Sequence, residues 1–130
     1  MIVGLGIDMV DIARIERMLR EKGEHALDRL FTFREVDYAR GRPSPAQHFA
    51  ARFAAKEAAY KALSGSDVAR AVGWRDIEVI NHGDGRPTLE FHGLAKRRAE
   101  QLGVVRAHVT LTHTDTTAGA VVILEGEFPA

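Results

Sequence analysis

The sequence predicts an α+β fold, helices mainly in its first half and antiparallel strands mainly in its second. Three observations carry this reading. Apolar residues recur at helical spacing at Ile12, Ile15, Met18 and Leu19, and an alanine-rich segment with aromatic residues on one stripe runs from Phe49 to Leu63. Beyond Ile77 the chain changes to short apolar runs rich in β-branched residues, divided by polar turns. The two kinds of element are segregated rather than alternating, which argues against a parallel α/β sheet. At 130 residues the chain is read as one domain, residues 1–130, because one core of this size buries roughly two-thirds of the unfolded surface.

The elements follow in order. Residues 2–7 (Ile-Val-Gly-Leu-Gly-Ile) form an apolar run that reads as a largely buried strand ending at Asp8. Helical spacing begins near Asp11, and Gly23 is a plausible stop. Thr32-Phe33-Arg34-Glu35 has the form of a capping box, so a short helix runs from Phe33 towards Arg40. Gly41, Pro43 and Pro45 mark a loop, and Ser44 before Pro45 makes an N-cap and first-turn pair for a helix continuing to about Leu63, with Gly65 just beyond. Ile77, Val79 and Ile80 suggest a strand, 81–86 a turn and 87–91 a second strand. Residues 94–102 read as a helix stopped by Gly103. Residues 107–113 and 118–124 read as strands joined by the turn Thr114-Asp115-Thr116-Thr117, where Asp115 reads as a solvated turn residue. No internal repeat or low-complexity segment is present.

Composition excludes several functions. Lys plus Arg and Asp plus Glu number 18 each, so nothing in the whole-chain charge favours nucleic acid or a membrane surface. Anion recognition must come from local clusters: Arg14, Arg17 and Arg20, then Arg40 and Arg42, then Arg52, Lys56 and Lys61. The absence of cysteine removes disulfides, thiolate zinc sites and cysteine nucleophiles. No apolar stretch approaches the roughly 20 residues of a membrane span, and the N-terminus lacks a basic leader, so a cytoplasmic address is expected.

Asp8 stands at the end of an apolar strand, where a carboxylate is costly unless something positive meets it. It reads either as a cap for the following helix or as a ligand for a hard cation. In the 49–63 helix Phe49, Phe53 and Tyr60 share a stripe, and Glu57 and Lys61 share its neighbouring edge, either as an ordinary surface pair or as site residues. Lys56, beside the aromatic stripe, must snorkel or meet an anion. Two carboxylates with several cations from separate elements form a phosphate-transfer kit, since magnesium takes one or two carboxylates and leaves positions for substrate phosphates.

Two motifs narrow this reading. Gly6-Ile7-Asp8-Met9-Val10, followed by Arg14-Ile15, resembles the N-terminal motif of the holo-acyl-carrier-protein synthase family. Arg52-Phe53-Ala54-Ala55-Lys56-Glu57-Ala58, followed by Lys61-Ala62, resembles its second motif, and the likeness extends to Gly85-Arg86-Pro87 and to Val109-Thr110-Leu111-Thr112-His113-Thr114. The resemblance implies a phosphopantetheinyl transferase fold and transfer of the phosphopantetheine arm of coenzyme A to a serine of apo acyl carrier protein, in fatty acid biosynthesis. It implies that Asp8 and Glu57 hold magnesium, and that Glu57 and Lys61 serve catalysis, with either Glu57 or a magnesium-bound water taking the serine proton. It implies further that Arg52, Lys61, Gly85, Pro87 and His113 bind coenzyme A, and that the protein is a homotrimer with sites at subunit borders. Family members often carry basic residues before the second-motif helix, where this chain has Pro43 and Ser44. Arg40 or Arg42 is the substitute for the ribose phosphate. On its strand pattern alone His113 reads as a core histidine beside Val109 and Leu111.

Arg14 and Arg17 are three apart and Met18 lies one turn after Arg14, a face suited to an acidic amphipathic helix such as the carrier protein's. The bland alternative pairs these arginines with Glu16 and Glu21. Two other functions compete: a magnesium-dependent pyrophosphate hydrolase using the same carboxylates, and a non-catalytic protein that docks an acidic partner through Arg14 and Arg17 and leaves Asp8 and Glu57 without a task.

Overall fold

The structure, a computed structural model, describes residues 1–127. Its element order is β1 (Ile2–Asp11), α1 (Ile12–Leu30), α2 (Phe33–Arg40), α3 (Pro45–Ala62), α4 (Asp67–Arg70), a 3₁₀ turn (Trp74–Asp76), β2 (Ile77–Asn81), β3 (Pro87–Phe91), α5 (Gly93–Gln101), β4 (Val104–His113) and β5 (Thr117–Gly126). The expected class holds: helices lead and antiparallel strands follow.

The alanine-rich helix organises the molecule. Because Ala50, Ala54, Ala55, Ala58 and Ala59 project so little, α3 is buried on nearly every side, and those five residues expose no surface. One face lies directly on β1. A Cβ at Gly6 would stand 1.8 Å from the Ala58 carbonyl oxygen, and one at Gly4 2.3 Å from that of Ala62. Only glycine permits this approach, and it sets the spacing between the strand that carries Asp8 and the helix that carries Glu57 and Lys61.

β1 pairs with β5, and β5 with β4, in an antiparallel sheet of order β1-β5-β4. Asp8 and Leu111 both pair with Ala120, and Val10 and His113 both pair with Ala118. β2 and β3 form a separate hairpin, Ile77 opposite Phe91 and Asn81 opposite Pro87. The core gathers Ile15, Phe31, Phe49, Leu63, Val122 and Leu124 between α1, α3 and the sheet.

Several boundaries differ from expectation. β1 does not end at Asp8 but continues to Asp11, and it is not largely buried: Leu5, Ile7 and Met9 are 61–69% exposed, because α3 covers only the opposite face. Gly23 leaves helical geometry with φ 51°, yet the helix resumes, since Ala26, Leu27 and Leu30 continue its buried face to Leu30. α3 starts at Pro45 as expected, but the Ser44 hydroxyl makes no cap bond. Its backbone is left-handed (φ 56°), and the right-handed helical region is disfavoured for a residue before a proline. α4 and the 3₁₀ turn are too short to leave a periodic signal. α5 is displaced one residue towards the N-terminus of its expected range, while β4 and β5 extend beyond theirs.

The Thr32–Glu35 capping box is complete, both reciprocal bonds being present. Glu35 also resolves Lys56. The two side chains are fully buried, 2.7 Å apart, and Lys56 Nζ donates in addition to the carbonyls of Trp74 and Ile77. Lys56 therefore meets an anion from its own chain. Burial pulls its pKa down, and the Glu35 carboxylate opposes this.

Candidate functional site

The close packing of β1 on α3 brings Asp8, Glu57 and Lys61 together. Lys61 Nζ donates to Asp8 Oδ1 at 3.1 Å and to the Ile7 carbonyl at 3.0 Å, so its partner is Asp8 and not Glu57. Asp8 does not cap α1. It lies inside β1, and Asp11 occupies the N-cap without a side-chain bond. Glu57 makes no hydrogen bond or ion pair among the described residues. Burial pushes its carboxyl pKa up, the Asp8 charge pushes it further, and Lys61 and Arg14 oppose both. Two carboxylates thus repel one another across a shared space, which is the electrostatic condition for holding a cation. Beside Glu57 opens a cavity of about 250 Å³ lined by Tyr60, Arg70, Val72, Trp74 and Ile77.

A second group gathers on the other side of α3. Arg52, Gly85, Pro87 and His113 line one cleft of about 230 Å³, joined by Tyr38 and His48. The Arg52 guanidinium is buried. It donates to the His48 carbonyl at 3.0 Å and to Asn81 Oδ1, and its Nε has no partner. His113 is exposed rather than in the core, and its Nε2 meets the Gln47 amide at 2.9 Å. Arg42 and Arg52 both lie over the Tyr38 ring, 4.5 and 4.3 Å from its centre. Arg40 is tied to Glu24 instead, which leaves Arg42 as the arginine beside this cleft. No carboxylate lines it among the described residues.

The two groups do not face one another within one chain. At 100° per residue Arg52 lies about 140° around α3 from Glu57 and about 180° from Lys61. One side of the helix presents Glu57 with Lys61, and the other presents Arg52.

Arg14 and Arg17 are exposed on α1 and form no ion pair among the described residues, so they do not pair with Glu16 or Glu21. The Arg14 guanidinium lies 5.6 Å from the Phe53 ring centre, and its charge is felt at Glu57. Met18 is half-buried against the core beside them. This face therefore borders the acid group.

Tyr38, Gln47, His48 and Asn81 were not singled out by sequence reading. They come from three different elements, and only folding makes them neighbours. Glu78, Glu90 and His92, also not singled out, place ligand atoms within 4.8 Å of one another. That cluster already holds its cation: Arg34 Nη2 lies 2.6 Å from Glu78 and 3.5 Å from Glu90. Burial would raise the Glu78 carboxyl, but bonds from Arg34, Thr32 and His92 outweigh it and bring the pKa down to about 2. The cluster is a structural ion-pair network fastening α2 to the hairpin.

Among the described residues no helix is long and apolar enough to cross a membrane. The family model of the 4'-phosphopantetheinyl transferase superfamily matches residues 4–121. The chain is 45% identical over 125 residues to the holo-[acyl-carrier-protein] synthase of Koribacter versatilis, covering 96% of this chain and 99% of that protein. Among solved structures it resembles the holo-[acyl-carrier-protein] synthase of Neisseria meningitidis, with TM-score 0.83 and 28% identity over 96% of this chain and 99% of the other. It also resembles the Bacillus anthracis synthase in complex with coenzyme A (3',5'-ADP), with TM-score 0.77 and 34% identity over 98% and 99% of the two chains.

Proposed function

The chain belongs to the 4'-phosphopantetheinyl transferase superfamily, and from that premise we infer that it is a holo-acyl-carrier-protein synthase, which moves the phosphopantetheine moiety of coenzyme A to a serine of apo acyl carrier protein and releases adenosine 3',5'-bisphosphate. The observation that carries this reading is the pairing of Asp8 and Glu57 beside Lys61, with a separate cation-lined cleft for the nucleotide.

The donor set fits magnesium: two hard carboxylates in mutual repulsion, both half-buried, and magnesium held by one or two carboxylates keeps positions for phosphate. Bound between Asp8 and Glu57, magnesium would neutralise the pyrophosphate and polarise its oxygens. The residues of the chain supply the rest. Lys61 contacts the pyrophosphate and compensates charge as the bond between the pantetheine phosphorus and the bridging oxygen breaks. The carrier serine attacks that phosphorus, its proton passing to Glu57 or to a neighbouring water. Arg52, His113 and the backbone at Gly85 and Pro87 hold the nucleotide, and Arg42 takes the ribose phosphate. Transfer of this kind is mostly positioning and charge compensation, which such a set performs. The role we assign lies in fatty acid biosynthesis.

Incubation with magnesium, coenzyme A and apo carrier protein tests the activity directly. The carrier should gain one phosphopantetheine by mass spectrometry. Coenzyme A cleaved without a carrier would point to a hydrolase instead.

We further propose a homotrimer with sites at subunit borders. Two observations support it: the acid and cation groups lie on opposite sides of α3, and the outer sheet face exposes Leu5, Ile7 and Met9. Co-expression of a Glu57→Gln chain with an Arg42→Ala/His113→Ala chain should then restore about a quarter of wild-type activity, because each mixed trimer contains one intact border. Activity no higher than that of the two variants alone would show that each chain builds its site by itself.

For the carrier, Arg14→Glu with Arg17→Glu should raise its KM by roughly tenfold or more, since like charges are then juxtaposed, and leave coenzyme A affinity unchanged. Carrier association by the wild type should slow with salt. A double variant with normal KM for the carrier would remove this face as the docking surface.

A further inference from the structure

The nucleotide cleft holds two imidazoles that are not equivalent. His113 Nε2 lies 2.9 Å from the Gln47 side-chain amide, a contact that ties β4 to the first turn of α3. His48 has no side-chain hydrogen-bond partner among the described residues. It lies in the first turn of α3, edge-on to Tyr38 with ring centres 5.9 Å apart, and Tyr38 carries Arg42 and Arg52 on its ring. Around His48 therefore stand Tyr38 from α2, Arg42 and the Pro43 carbonyl from the loop, Arg52 from its own helix and His113 from β4. Only the Pro43 carbonyl favours a charged ring. Burial disfavours it most, followed by Arg52, Arg42 and His113, and these hold the His48 pKa below the usual histidine range.

The same arrangement inverts when a phosphate arrives. An anion beside Arg42 and Arg52 offsets the charges that disfavour a protonated ring and gives that ring an acceptor. Building on the reading of this cleft as the nucleotide half of the site, we propose that His48 is a further phosphate-binding residue, and that a phosphate dianion entering the cleft takes up a proton on that ring.

The sign follows from linkage. The ring pKa is low in the free protein and higher in the complex, so protons are taken up on binding between the two values. The ring's contribution to affinity is fully present below the free value and is lost as pH rises through the bound one.

Adenosine 3',5'-bisphosphate is the probe, titrated by calorimetry into the wild-type protein at pH 7.5, where a phosphomonoester with second pKa near 6 is almost fully ionised. Measured in buffers of low and high ionisation enthalpy, the heats should differ by a substantial fraction of one proton taken up per nucleotide. His48→Gln should abolish this uptake and weaken binding by about tenfold, the loss of one charge-assisted contact, while His113→Gln should keep the uptake. Equal wild-type heats in the two buffers overturn the proposal without any variant, and so does uptake that survives in a folded His48→Gln protein. Arg42→Ala separates the two readings. If it binds the nucleotide as tightly as wild type, the assignment of the cleft fails; if binding weakens but no proton accompanies it in wild type, only the role of His48 fails.

Discussion

Asp8→Asn and Glu57→Gln are each expected to lower phosphopantetheine transfer by about a hundredfold or more, the scale seen when a charge-stabilising group is removed from a transition state. Both proteins should stay folded, and melting temperature makes the prediction sharp. Asp8 is joined to Lys61 by one partly exposed ion pair, a contact worth about 0–1 kcal/mol. Glu57 has no partner among the described residues, and its carboxyl is already pushed up by burial and by Asp8. Neutralising Glu57 therefore relieves repulsion, and Glu57→Gln should melt at or above wild type while its activity collapses. Raising magnesium should restore part of the Asp8→Asn activity, because a weakened site still fills by mass action. Full activity in both variants would remove the metal assignment.

How much of this was legible beforehand depended on the distance along the chain between partners. The capping box of α2 spans four residues and could be read whole. The β2–β3 hairpin was legible for the same reason, its turn chemistry lying between its strands. Asp8 and Glu57 are 49 residues apart; their chemistry suggested a phosphate-transfer kit, and the resemblance of their two motifs made that one site before the fold did. The partner of Lys56 was beyond reach, because Glu35 sits 21 residues upstream in another helix, and the aromatic stripe left open whether the lysine snorkels or meets an anion. β1 misled through parity: a run of six small and apolar residues looks buried on both faces, and nothing local reveals that α3 covers only the face of Gly4 and Gly6. Arg40 and Arg42 likewise could not be told apart from sequence, since only the fold ties Arg40 to Glu24 and lays Arg42 over the Tyr38 ring.

The Glu35–Lys56 pair carries the second large effect, this time on stability. With both side chains fully buried, removing one charge strands the other. Glu35→Gln should cost about 3–5 kcal/mol in denaturant unfolding, the range for breaking a buried pair from one side. Lys56→Met should cost less, because Glu35 still accepts from the backbone N–H groups of Thr32 and Val79, each at 2.9 Å. The double variant should be more stable than the sum of the single losses predicts, since it leaves no uncompensated charge. A functional consequence follows from Val79. Its bond to Glu35 ties α2 to the hairpin that presents Asn81 to Arg52 and carries Gly85 and Pro87 at the cleft. Folded Glu35→Gln protein should therefore show a raised KM for coenzyme A with a smaller change in kcat, as the nucleotide half loosens while Asp8, Glu57 and Lys61 stay in place. Single losses below about 1 kcal/mol, or losses that simply add in the double variant, would mean that hydrogen bonds rather than charge hold this node.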